Sequence, residues 1–173
     1  MLKKSLALGA LAIASLISAP STVHATPTLI STQDSISIGV PPLLAHLVEA
    51  AGVPVIDGSN YPERCGPALG IYNTHYNVMV MCTQNIPNAA MYVETFAHEA
   101  VHLAQDCRIG LDNDALYAGE KDYTQELYAD LPEFKQENLH GNYEDEVFAF
   151  EVEAFYFEDY PDKVAKGVAD SCF

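Results

Sequence analysis

The chain has 173 residues, 49% of them hydrophobic, and carries 24 Asp/Glu against 8 Lys/Arg, for a formal charge of −16. This length suits one domain with a substantial core, and the ten Tyr and seven Phe argue against wholesale disorder. The excess of acid excludes a nucleic-acid role that depends on phosphate neutralisation, and it disfavours docking on anionic lipid headgroups.

The first 25 residues have the organisation of a secretory signal peptide. Two lysines precede an apolar run from Leu6 to Ile17, and a small-residue cleavage site ends at Ala25. The run is too short to cross a bilayer, which takes about 20 residues. We therefore expect residues 1–25 to be removed, and residues 26–173 to form a single domain, periplasmic or secreted, without a membrane contact.

After the predicted cleavage site, the chain begins with a Ser/Thr-rich segment, residues 26–40, for which we expect an extended lead-in. Pro41 and Pro42 then begin a short amphipathic helix that ends at Gly52. The segment Val53–Ile56 follows as a candidate strand.

A hairpin is predicted next. A loop over Ser59–Pro67 leads to two candidate strands, Ala68–Tyr72 and Asn77–Cys82, which flank a turn at Asn73-Thr74. Asn88 then caps a helix that runs to about Cys107, and Gly110 lies beyond its end.

Helices dominate the carboxy-terminal part. Residues 112–130 favour one or two helices, residues 137–146 form a polar stretch, Glu144–Asp159 favours a helix rich in Phe and Glu, and Pro161 begins a last helix. The pattern predicts the α+β class, with a short hairpin or sheet packed on a central helix and on carboxy-terminal helices.

Four cysteines, an even number, follow the predicted cleavage site and indicate two disulfides in an exported protein. The hairpin would bring Cys65 and Cys82 together at its open end. A bridge between Cys107 and Cys172 would tie the last helix to the central one. Pairing of Cys82 with Cys107, and of Cys65 with Cys172, is the alternative.

The sequence His98-Glu99-Ala100-Val101-His102 lies inside the predicted central helix. Residues four apart share one helical face, so both imidazoles can reach one Zn²⁺. Glu99 lies on the adjoining face, where it can accept a proton from a zinc-activated water as the catalytic base.

On this motif, the hairpin-then-helix order before it and the acidic helix after it, the chain resembles the zincin metallopeptidases. The resemblance implies a zinc-dependent hydrolase acting on a peptide or protein substrate. In that family an edge strand beside the active-site helix holds the substrate, and Tyr76–Cys82 is the candidate by position.

The third metal ligand is predicted on the acidic helix, as in the gluzincin type. At 100° per residue, Glu151 falls on an apolar stripe, where a carboxylate needs a partner or a metal, whereas Glu153 falls on a face that we expect to be wetter. Glu151 is therefore the predicted ligand and Glu153 the alternative. Asp106 could be a hydrogen-bond partner of a ligand histidine or a surface charge. A role as a third ligand is less compatible with helix geometry, because three successive turns of one helix span about 12 Å, too far for one ion.

Two further questions stay open at the level of sequence. The oxyanion donor that acyl transfer needs has four tyrosine candidates: Tyr76, Tyr128, Tyr143 and Tyr156. The alternative function is a non-catalytic domain, stabilised by zinc and disulfides, that binds a partner outside the cytoplasm. The sequence does not indicate an oligomeric state.

Overall fold

The computed structural model describes residues 26–111, 113 and 115–173, so the predicted signal peptide lies outside the described residues. Within these ranges no helix is long and apolar enough to cross a membrane. The fold is α+β, as predicted.

A four-stranded sheet has the order β1-β2-β4-β3, in which β1 and β3 are antiparallel to their neighbours and β2 runs parallel to β4. The strands are β1 Thr28–Leu29, β2 Val55–Asp57, β3 Gly70–Asn73 and β4 Val78–Met81. The predicted hairpin is formed by β3 and β4, with Ile71 opposite Val80.

The strand proposed to hold a substrate, Tyr76–Cys82, is not at the edge of this sheet. It contains β4, which pairs with β2 on one side and with β3 on the other. The edge strand that packs against the central helix is β3 instead. The prediction was wrong because β2 inserts beside β4 through a parallel pairing, which local sequence patterns do not reveal.

The helices are α1 Thr32–Ile38, α2 Pro42–Ala50, α3 Pro62–Cys65, α4 Ala89–Cys107, α5 Lys121–Asp130, α6 Glu133–Asn142, α7 Asp145–Phe157 and α8 Pro161–Cys172. Two of them replace expected irregular segments. Helix α1 interrupts the predicted lead-in, because Ser31 and Asp34 form a capping box at its start. Helix α6 covers most of the polar stretch, because Leu139 is fully buried in a small apolar cluster.

Helix α4 is the centre of the molecule and packs against α7, α8 and the sheet. The main core contains buried residues of α4, α2, α8 and β4. Buried residues of α5, α6 and α7 form a second, smaller cluster. Both predicted disulfides are confirmed: Cys65–Cys82 closes the open end of the hairpin, and Cys107–Cys172 ties α8 to the end of α4. Such bridges are typical of oxidising, extracytoplasmic environments.

Candidate metal site

Helix α4 carries the two histidines and the glutamate of the predicted motif. Its N-cap is Asn88, whose side-chain oxygen accepts a hydrogen bond from the backbone N–H of Met91 at 3.0 Å. His98 and His102 lie one turn apart on one face, with ring centroids 5.0 Å apart. Glu99 is only 5% exposed and lies beside them.

Helix α7 brings Glu151 to the two imidazoles. One carboxylate oxygen of Glu151 lies 3.2 Å from His98 Nε2, and the other lies 3.5 Å from His102 Nε2. A ligand atom from each of the three residues lies within 4.8 Å of the others, so the group could hold a metal ion. The structure therefore brings together the three side chains that the sequence predicts as ligands.

The second ring nitrogen of His102 is held by Gln105, whose Oε1 lies 2.8 Å from Nδ1. The Gln105 amide has a fixed orientation, because its Nε2 donates to the Phe150 carbonyl and to Glu153, both at 3.0 Å. Since Oε1 can only accept, Nδ1 carries the hydrogen in the neutral ring of His102. The lone pair then resides on Nε2, which faces Glu151.

Glu153, the alternative ligand, has another role. It is 3% exposed, and the guanidinium of Arg108 donates to both of its oxygens at 2.7 and 2.8 Å. The prediction that its face of α7 is wetter was therefore wrong. The reason is tertiary: that face meets Arg108, which follows α4, and the bidentate pair compensates the buried carboxylate.

Asp106 is fully buried and accepts a hydrogen bond from the Tyr72 hydroxyl at 2.9 Å. The alternative that it is a surface charge was wrong. The position beside His102 Nδ1 that sequence analysis considered for Asp106 is taken by Gln105. Gln105 is three residues after His102, a spacing that allows contact on a helix and is the signal by which it could have been found.

The second ring nitrogen of His98 is held by a carboxylate that sequence analysis did not single out. Glu158 Oε2 lies 2.7 Å from His98 Nδ1, and Glu158 Oε1 lies 2.6 Å from the Lys135 ammonium. Lys135 also donates to Asp159 at 2.8 Å and to the Phe155 carbonyl at 3.0 Å. The seven-residue spacing from Glu151 to Glu158 was the available signal, since it keeps both on one helical face.

Opposite charges and burial shift the pKa values of the site. Burial lowers the pKa of His98, but hydrogen bonds to Glu151 and Glu158 outweigh burial and raise it to about 10. Burial lowers the pKa of His102. Burial would raise the pKa of Glu151, yet the hydrogen bond from His98 and the charges of both histidines lower it. Burial raises the pKa of Glu99 to about 7.

A groove of about 680 Å³ opens onto His98 and Glu99. Its walls come from the segment before β3, from α4, from α6 and from the end of α7, and include both apolar and polar side chains: Leu69, Met91, Phe134, Asn138, Asn142 and Phe155. A ligand as large as a short peptide segment can therefore reach His98 and the buried Glu99.

Of the four tyrosine candidates for the oxyanion donor, Tyr143 is the one that lies at the site. It lines the groove, and its hydroxyl hydrogen-bonds with Glu151. Tyr76 is 70% exposed, Tyr128 bonds to a histidine of α6, and Tyr156 packs edge-on against a neighbouring aromatic ring.

Comparison with models of known protein families gives a match. The family model described as a domain of unknown function, DUF8637, matches residues 44–173. This range includes the two histidines, Glu99, Glu151 and the residues that hold them. No curated protein and no solved structure matches the chain.

Proposed function

We propose that this chain, which belongs to the DUF8637 family, is an exported zinc metallopeptidase that hydrolyses peptide bonds. The observation that carries the proposal is the convergence of His98, His102 and Glu151 beside the buried Glu99, with His98 and Glu99 lining an accessible groove. The zincin resemblance of the motif supports the same activity.

The donor set fits zinc. Two ligands that each lie about 2.0–2.1 Å from a tetrahedral ion stand about 3.3–3.4 Å apart. Nε2 of His98 lies 3.2 Å from one oxygen of Glu151 and Nε2 of His102 lies 3.5 Å from the other, and the three ligand atoms all lie within 4.8 Å of one another. Each ring is oriented through Nδ1 by a side-chain oxygen, the arrangement usual for histidines that bind a metal through Nε2. When bound, zinc would polarise a substrate carbonyl and lower the pKa of water.

Glu99 is proposed as the general base. It is buried beside His98, lines the groove and is not one of the three candidate ligands. Its pKa of about 7 is close to the value at which a carboxylate can both accept and return a proton near neutrality. In the proposed reaction Glu99 accepts a proton from the attacking water and passes it to the leaving amine.

Tyr143 is proposed as the donor to the developing oxyanion. It is the candidate tyrosine that lines the groove, and burial with the nearby carboxylates Glu151 and Glu99 raises its pKa, so its hydroxyl stays protonated at neutral pH. A protonated hydroxyl beside the reacting carbonyl is the group that acyl transfer needs.

The test combines metal analysis with digestion of an unstructured protein. Purified wild type should contain one zinc per chain and cleave the substrate. Glu99→Gln should keep the zinc and lose at least about 100-fold in rate, whereas Glu146→Gln, on the exposed side of α7, should change neither. An unchanged rate for Glu99→Gln would remove Glu99 from the mechanism.

The alternative, a zinc-stabilised domain without catalysis, predicts a different outcome for the same proteins. Wild type and Glu99→Gln would both contain zinc, both would unfold at lower temperature after chelation, and neither would cleave the substrate. The groove that opens onto Glu99 favours the catalytic proposal, because a structural zinc needs no access for a ligand.

A further inference from the structure

Gly70 lies where β3 crosses the Glu99 side chain. A Cβ atom added at Gly70 would lie 2.6 Å from Glu99 Oε1, 2.7 Å from Thr95 Cγ2 and 2.8 Å from Glu99 Cγ. Such distances are shorter than the van der Waals contact of these atoms, so a methyl group at this position requires a neighbour to move. Gly70 is not among the glycines with positive φ, so its backbone conformation is one that other residues adopt.

The neighbour that would move is Glu99. The backbone of β3 is held by pairing with β4, where Gly70 lies opposite Met81. Thr95 is β-branched and lies on α4, where its side chain has two rotamers open to it, far fewer than the side chain of Glu99. The Glu99 carboxylate is the end of a flexible side chain, and it already contacts the same strand through a hydrogen bond from the backbone of Tyr72.

We propose that Gly70 is a positioning residue for Glu99: by carrying no side chain, β3 leaves the space that holds the Glu99 carboxylate beside the metal ligands. The effect of this positioning role on turnover rests on the proposed peptidase function. The contact itself does not, and it can be tested in a protein that shows no activity.

The first part of the test measures turnover. Gly70→Ala should keep one zinc per chain, because the three atoms nearest to the added Cβ belong to Glu99 and Thr95 and not to a ligand, and should lower kcat by about tenfold or more with little change in KM. The matched control is Gly167→Ala, where an added Cβ meets nothing within 4 Å, and its kcat should equal that of wild type. In the Glu99→Gln background, Gly70→Ala should cause no further loss.

The second part measures thermal unfolding and needs no activity. Gly70→Ala should lower the melting temperature, and its effect should shrink when Glu99 is replaced by Ala, because the carboxylate with which it collides is gone. This holds even where Gly70→Ala alone folds poorly, since the double variant should then recover in part, with only the contact to Thr95 remaining.

The outcomes separate the two proposals. An active wild type with an equally active Gly70→Ala, or equal melting shifts with and without the Glu99 side chain, would overturn the positioning role. An inactive wild type whose melting temperatures show the predicted coupling would overturn the peptidase proposal and leave the contact established.

Discussion

Lys135 and Glu158 form an ion pair of 2.6 Å, with both side chains almost completely buried, at 4% and 6% exposure. The other oxygen of Glu158 is 2.7 Å from Nδ1 of His98. Lys135 is therefore linked to the candidate ligand His98 through Glu158. Its charge compensates the carboxylate that orients the first histidine of the motif, as Arg108 compensates Glu153 behind the second one.

Removal of the lysine charge should damage both stability and metal binding. Lys135→Met leaves Glu158 buried without its cation, which should lower the free energy of unfolding by about 3–5 kcal/mol. The mispositioned His98 should weaken zinc binding by about 10–100-fold. Chemical denaturation of the metal-free protein and a competitive zinc titration measure the two effects.

Lys166→Met is the control for this change. Lys166 pairs with Asp170, but both side chains are mostly exposed, at 75% and 63%. Its removal should change the free energy of unfolding by less than about 1 kcal/mol. Equal changes in the free energy of unfolding for the two substitutions would show that the contribution of the Lys135 pair does not come from its burial.

The parts of the site that depend on local spacing could be predicted from the sequence. The separation of His98 and His102 by four residues fixes their common face, and Asn88 provides a start for α4. Glu151 could be selected because a carboxylate on an apolar stripe needs a partner. The hairpin likewise led to the Cys65–Cys82 bridge.

The parts that depend on a distant partner could not be predicted. Glu153 was assigned to a wetter face because helical angles contain no information about Arg108, which lies 45 residues earlier. Glu158 was not singled out, since its partner Lys135 reaches it from α6, a helix that the sequence did not indicate. The parallel pairing of β2 with β4 likewise depends on residues far apart in the sequence, and it makes β4 an inner strand of the sheet.

Two isosteric substitutions on α7 should affect different properties of the protein. Glu151→Gln removes the carboxylate that faces both histidines, so zinc affinity should fall by more than about 100-fold. Glu153→Gln leaves the ligand set intact but takes the charged partner from Arg108, so we expect a loss of about 1–3 kcal/mol in unfolding free energy. Zinc titration and denaturation of both variants check this, and a larger affinity loss for Glu153→Gln would reverse the ligand assignment.

The two disulfides should contribute unequally to stability. The Cys107–Cys172 bridge closes a separation of 65 residues and the Cys65–Cys82 bridge one of 17. In the chain-entropy account, these loops correspond to about 4 and about 3 kcal/mol. Replacing each pair by serines should therefore lower unfolding stability more for the first pair. Denaturation of the double-serine variants tests the order, and the reverse order would mean that native contacts around the bridges, not loop length, dominate.

Zinc binding should release a proton from His98. Both of its ring nitrogens face carboxylate oxygens, Glu158 at 2.7 Å and Glu151 at 3.2 Å, so the metal-free ring is held as the imidazolium, with a pKa of about 10. A metal needs the lone pair on Nε2, and the proton there must leave. At about pH 8 the carboxyl of Glu99, with a pKa of about 7, is already mostly ionised, so His98 should be the main source of the proton.

The sign of the pH dependence follows from the raised pKa of His98. In the metal-free protein, the stability that protonated His98 contributes is fully present below its unfolded value of 6.5 and is lost as the pH rises through about 10. Zinc affinity should change in the opposite direction and rise by up to tenfold per pH unit between about 7 and 10. Calorimetric titration at about pH 8, in buffers of different ionisation enthalpy, should give at least about one proton released per zinc. A binding heat that does not depend on the buffer would mean that His98 is already neutral before the metal arrives, and that its two carboxylate contacts do not hold a proton.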